Sequence, residues 1–172
     1  MNTPCCYCSG KPKEILFAGV SANIVLPNRP HISPHDGGHL QVVPRRHVSE
    51  RSQLDPFESL ETIFLSVIAG DSLRSVVGAG WINYQENGNW SVDTPTLQHL
   101  HLHVYGRTKW ALKQPFGEAL KFPSKESFAK MSIDRFSERQ VEEIITFITQ
   151  WMRSNAAEPW TVALSALDSS HN

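Results

Sequence analysis

Residues 97–107 read LQHLHLHVYGR, with His99, His101 and His103 alternating with Leu100, Leu102 and Val104. Successive side chains of a β-strand point to opposite faces, so a strand here would carry three imidazoles on one face and an apolar row on the other. On a helix the same spacing would scatter the rings around the cylinder. Imidazole titrates near neutral pH, acts as a nucleophile when unprotonated and ligates metals. Two chemistries suit such a row. The three rings could hold a catalytic zinc with an open fourth position, or the middle ring could attack an electrophile while its neighbours control tautomer and charge. A second cluster lies at the start of the chain, where Cys5, Cys6 and Cys8 fall within four residues. An odd, clustered set does not make a disulfide framework and fits metal binding better.

The elements that would position these groups can be read from the hydrophobic pattern. Residues 14–17 and 22–26 flank Gly19 and read as a hairpin. A loop rich in Pro, His and Gly (27–39) leads to HLQVVP, a short strand ending at Pro44. Asp55, Pro56 and Glu58 form a helix start, and Phe57, Leu60, Ile63, Phe64, Val67 and Ile68 recur at helical spacing as its buried stripe. WINYQ (81–85) reads as a strand and Asn87-Gly88 as a turn before the histidine strand. Residues 108–135 fit no helix or strand template strongly. Ser137 and Gln140 make a capping box for a final amphipathic helix over about 137–153, with Val141, Ile144, Ile145, Ile148 and Trp151 on its apolar side. Residues 160–164 suggest one more short strand. The pattern predicts an α+β fold built on a largely antiparallel sheet, with one inserted and one C-terminal helix, as a single domain over residues 1–172.

HLHLHVY resembles the His-φ-His-φ-His-φ-φ signature of the histidine triad (HIT) superfamily of nucleotide hydrolases and transferases. GHLQVVPRRH, residues 38–47, is similar to that family's upstream block, and the two blocks occur in the expected order with a helix between them. The resemblance covers residues 5–107. It implies a HIT-like curved antiparallel sheet, and hydrolysis at the α-phosphorus of a nucleoside phosphoramidate, dinucleoside polyphosphate or related conjugate. A nucleotidyltransferase or a non-catalytic nucleotide-binding module is the alternative.

Carried over by position, the resemblance makes His101 the nucleophile that forms a nucleotidyl-histidine, with His103 and His39 lining the phosphate pocket. It makes Cys5, Cys8, His47 and His99 the ligands of a structural Zn2+, a donor set that suits tetrahedral zinc. Thr96 matches the hydroxyl of the family's segment before the triad. Asn83 or Asn89 would supply an amide to the substrate, and His31 or Asn28 falls where the family binds ribose. A small-molecule nucleotide and a second copy of the chain are the implied partners.

The 172 residues carry a formal net charge of −1 at pH 7, with 16 Lys+Arg against 17 Asp+Glu. That balance lacks the basic excess of a nucleic-acid-binding protein. No apolar run is long enough to span a bilayer, and MNTPCCYC lacks the basic start and apolar run of a signal peptide. A cytoplasmic protein with no membrane or nucleic-acid partner is expected.

Overall fold

The computed structural model describes residues 5, 7–9, 14–88, 97–155 and 166. Five strands, β1 (Glu14–Ala18), β2 (Ala22–Leu26), β3 (His39–Pro44), β4 (Trp81–Gln85) and β5 (Leu102–Arg107), form one open antiparallel sheet in the order β1-β2-β3-β5-β4. The hairpin read at residues 14–26 is present. Its turn is held by Glu61, whose carboxylate accepts from the backbone N–H groups of Val20, Ser21 and Ala22 at 2.8, 2.6 and 3.0 Å.

Helix α1 (Pro56–Val77) begins at the capping box read from the sequence: Asp55 accepts from the Glu58 N–H at 2.8 Å, and Glu58 accepts from the Asp55 N–H at 3.0 Å. Its buried stripe differs from the one expected. Phe57, Phe64 and Ile68 are buried, but Ile63 and Val67 are 44% and 46% exposed, and Leu65, Ala69 and Leu73 face the sheet instead. Helix α1 is apolar on several sides, so spacing alone cannot choose the face that meets Ile24, Leu40, Val42, Leu102 and Val104. Helix α3 (Glu138–Ser154), capped by Ser137 and Gln140, adds Ile144 and Ile148 to the same core.

The helices cover one face of the sheet. Register places His39 opposite Tyr105, Gln41 opposite His103, and Asn83 and Gln85 opposite Tyr105 and His103. Directly paired residues share a face, so these polar groups line the other side. The loop into β3 is seated by glycine. Gly38 has φ 80°, and a Cβ on Gly106 would lie 2.0 Å from the Gly37 carbonyl oxygen, so loop and strand meet backbone to backbone.

The connection over 108–135 is ordered by buried charge. Arg107 is 4% exposed and donates to the carbonyls of Pro115 and Glu118 at 2.8 and 3.0 Å. The Asp36 carboxylate accepts from the N–H groups of Leu112 and Lys113 at 2.8 and 3.0 Å. The connection contains a short helix, α2 (Lys125–Lys130), that the sequence reading lacks. No helix among the described residues is long and apolar enough to cross a membrane. The strand suggested at 160–164 lies outside the described residues.

Candidate active site and metal cluster

Hydrogen-bonded strand begins only at Leu102, so His103 stands on β5 while His99 and His101 precede it. The three rings therefore have different surroundings. A parallel bridge between Cys5 and Leu97 seats the N-terminal segment beside the triad. There the His99 Nδ1 is 3.4 Å from both the Cys5 and the Cys8 sulfur, and the Cys8 sulfur is 3.5 Å from His47 Nδ1. The other His99 ring nitrogen, Nε2, is 2.9 Å from the Pro44 carbonyl. A carbonyl only accepts, so Nε2 carries the proton and the Nδ1 lone pair faces the thiols.

Cys5, Cys8, His47 and His99 have ligand atoms mutually within 4.8 Å. With zinc at the usual bond lengths, a tetrahedral S···N edge is about 3.5 Å, which matches the spacings present. The donor set fits a structural zinc, and the Pro44 carbonyl would be the outer partner that orients His99 as a ligand.

His101 takes a different bond. Its Nδ1 lies 2.8 Å from the His99 carbonyl oxygen. The proton of the neutral ring is therefore on Nδ1, and Nε2 is left with its lone pair. His103 is fixed by a chain of donors. The backbone N–H of His31 donates to His39 Nδ1 at 3.1 Å, which puts the His39 proton on Nε2. His39 Nε2 then donates to His103 Nδ1 at 2.9 Å, so His103 presents an Nε2–H. The His101 and His103 ring centroids are 4.6 Å apart. An unprotonated ring nitrogen thus sits beside a ring that keeps one donor.

Burial keeps His31, His39 and His103 unprotonated. The buried His103 is pushed down to about 2, first by desolvation and then by the imidazoles of His101 and His31. The fully enclosed His39 is held well below the usual imidazole range, again mainly by burial and then by His103. His31 is lowered to about 4 by burial and by His101. His31, His39 and His103 could also be read as a metal-ligating group. Their nitrogens are instead engaged with one another and with Tyr105, whose hydroxyl is 2.6 Å from His31 Nδ1, so they form a hydrogen-bonded relay. The reading of His99, His101 and His103 as one metal site does not fit, because His99 turns to the thiols and His101 to a backbone carbonyl.

Of the residues considered for the substrate, His31 lies against the row, stacked 4.7 Å from His39 and flanked edge-on by Phe122 and Phe128. It is not an exposed loop histidine. Asn28 is exposed and lines a pocket with Phe128 and Met131 that contains none of the row's histidines. Asn83 is on the histidine face, but its Oδ1 accepts from Arg107 at 3.0 Å. Thr96 and Asn89 lie outside the described residues. Sequence reading did not find Tyr7, Gln41, Tyr105 or the two phenylalanines. The alternation of β3 does place Gln41 on the face of His39, but Tyr7, Phe122 and Phe128 reach the site only through tertiary contacts.

No protein-family model matches the chain. Over 77 residues it is 34% identical to a protein of Mycobacterium tuberculosis described as "AP-4-A phosphorylase", found in two strains. The match covers 45% of this chain and 40% of that protein, so it spans less than half the length of these curated relatives. Among solved structures, a zinc-bound histidine triad family protein of Mycobacterium smegmatis superposes with a TM-score of 0.60 at 18% identity, over 84% of this chain and 90% of that one. A histidine triad nucleotide-binding protein of Sulfolobus tokodaii gives a TM-score of 0.55 at 14% identity, over 87% and 89% of the two chains. A uridylyltransferase gives 0.54 at 18% identity, over 86% of this chain and 46% of that one. The chain has the histidine triad fold, and it carries the HLHLHVY motif that resembles the family's signature.

Proposed function

We propose that this chain is a nucleotide hydrolase acting at the α-phosphorus of a nucleoside phosphoramidate, a dinucleoside polyphosphate or a related conjugate. The observation that carries the reading is the tautomer of His101: the bond from Nδ1 to the His99 carbonyl leaves the proton on Nδ1 and the lone pair on Nε2, beside the Nε2–H of His103. In the first step a bond forms from His101 Nε2 to the α-phosphorus, and the bond from phosphorus to the leaving-group oxygen or nitrogen breaks with its electron pair, a solvent proton neutralising that group. In the second, water attacks the same phosphorus, the P–N bond breaks and the water's proton passes to solvent, restoring neutral His101. His103, held by His39, donates to a phosphoryl or leaving-group oxygen, a fixed dipole that needs no reorganisation as charge develops.

Cys5, Cys8, His47 and His99 hold zinc in this reading, as a staple between the N-terminal segment and the sheet. The zinc supplies structure and fixes the His99 ring, leaving the chemistry to His101. The active form is a homodimer in the cytoplasm that takes a small-molecule nucleotide and needs neither nucleic acid nor membrane.

Transfer of the nucleotidyl group to inorganic phosphate is a second reading, favoured by the relative described as "AP-4-A phosphorylase". One experiment tests both. Wild type and His101→Asn are mixed with adenosine phosphoramidate or diadenosine tetraphosphate, with and without inorganic phosphate, and followed by intact-mass spectrometry and nucleotide chromatography. A transient AMP-sized adduct with AMP release, both absent in the variant, supports the hydrolase. With diadenosine tetraphosphate, ADP formed only when phosphate is present supports the transferase. AMP release that persists in His101→Asn overturns the assignment.

A further inference from the structure

Tyr7 lies between the two candidate thiolate ligands, and its side chain leaves the metal cluster for the histidine row. Its ring centroid is 5.2 Å from that of His99 and 5.2 Å from that of His101. Its hydroxyl donates to Gln41 Oε1 at 2.9 Å. The acceptor nitrogen of His103 decides the orientation of the Gln41 amide, and the Tyr7 hydroxyl holds its oxygen end. With Oε1 turned to Tyr7, Nε2 faces His103 Nδ1 at 3.5 Å, beside the shorter bond from His39. The donors all run one way, from the Tyr7 hydroxyl to the Gln41 oxygen, from the Gln41 amide to His103 Nδ1, and outward from His103 Nε2–H. Reversing the amide would set an oxygen against the acceptor nitrogen of His103, a pairing with no proton between them.

We propose that Tyr7 is a positioning residue that links the metal cluster to the reactive histidines, its ring seating His101 and its hydroxyl holding Gln41 so that His103 keeps its outward donor. The inference rests on the roles given above to His101 and His103. Tyr7 acts through its neighbours and reaches them only because Cys5 and Cys8 pin the short segment that carries it. A Phe at position 7 keeps the ring contact and deletes the bond to Gln41, while a Leu loses both.

The test compares zinc-loaded wild type, Tyr7→Phe, Gln41→Leu, the double variant and Tyr7→Leu. All should bind zinc in the same stoichiometry. Tyr7→Phe and Gln41→Leu should each lower kcat by about fivefold to tenfold, the worth of one hydrogen bond, with KM within about twofold. The double variant should fall no further than either single one, because both break the same relay. Tyr7→Leu should fall further.

Ring 15N NMR gives a readout independent of turnover. The His103 Nδ1 resonance should shift equally in Tyr7→Phe and Gln41→Leu, and the His101 ring protons should move in Tyr7→Leu and on zinc removal. Wild-type kcat and His103 resonance in Tyr7→Phe, or additive losses in the double variant, overturn the inference. A wild type that forms no nucleotidyl adduct instead defeats the hydrolase reading, and the NMR comparison then still decides whether Tyr7 positions the two rings.

Discussion

His99 and His101 are joined by a bond that runs from one ring to the other's backbone: His101 Nδ1 donates to the His99 carbonyl at 2.8 Å, while the His99 ring points to Cys5 and Cys8. The placement of the His99 backbone therefore sets the direction of the His101 lone pair. His101→Asn keeps a polar group of moderate size at a half-buried position but removes the nitrogen proposed as nucleophile. Turnover of a nucleotide substrate should fall by about a thousandfold or more. The melting temperature should change by only a few degrees, since no core contact is lost. Steady-state kinetics alongside thermal melts would show whether the two effects separate.

Removing the proposed zinc should act on stability first. A ligand that binds only the folded chain stabilises it by about 4 kcal/mol when its free concentration is a thousand times Kd. Chelation, Cys5→Ser or Cys8→Ser should therefore lower the melting temperature, and each substitution should abolish stoichiometric zinc in the purified protein. The large core between the sheet and α1 does not involve the cluster, so the metal-free protein should still unfold cooperatively. An unchanged melting curve after complete zinc removal would contradict the staple role.

The contrast between what the sequence showed and what it hid follows from the range of each interaction. The capping boxes at Asp55 and Ser137 are local and were legible to the residue. So was the chemical face of β5, because a period of two needs no knowledge of the partner strand. The start of the hydrogen-bonded ladder was not legible. His99 and His101 fit the alternation, yet the Cys5–Leu97 bridge and the thiols draw His99 out before the strand begins. Buried charge was hidden for the same reason. Arg107, Asp36 and Glu61 look like surface residues until the backbone groups they satisfy are brought in by distant segments. Phe122 and Phe128, which close the space beside His31, come from a stretch with no periodicity.

Acidification should destabilise the protein through its buried histidines. His31 has a folded value of about 4, and an unfolded histidine titrates near 6.5. Above the unfolded value both states are neutral at this group, and its contribution is fully present. As pH falls below about 6.5 the unfolded chain takes up a proton that the folded chain refuses. The contribution is then lost at about 1.4 kcal/mol per pH unit until the folded value is reached. His103, at about 2, and His39, held well below its usual value, should act in the same direction. Denaturant unfolding at pH 7.0, 6.0 and 5.0 should show this fall, and His31→Phe should reduce the slope by about one proton. Equal slopes for the variant and wild type would mean that His31 titrates normally in the folded protein.

Glu61 offers a stability change that should leave the chemistry alone. It is buried in α1, and its carboxylate accepts from the N–H groups of Val20, Ser21 and Ala22 and from the Ser21 hydroxyl at 2.5 Å. These bonds close the β1–β2 turn at the edge of the sheet, on the helix-covered side and away from the histidine row. Glu61→Gln exchanges one accepting oxygen for a donor, setting an amide against the backbone N–H groups that Oε1 or Oε2 now satisfies. Hydrogen bonds to a charged group are worth about 1.5–3 kcal/mol each, and leaving buried donors unpaired costs a similar amount. Stability should therefore fall by roughly 2–4 kcal/mol, measured by urea unfolding. At a temperature where the variant is fully folded, kcat per folded molecule should stay at the wild-type level. A loss of kcat without a loss of stability would place the β1–β2 turn in the working site.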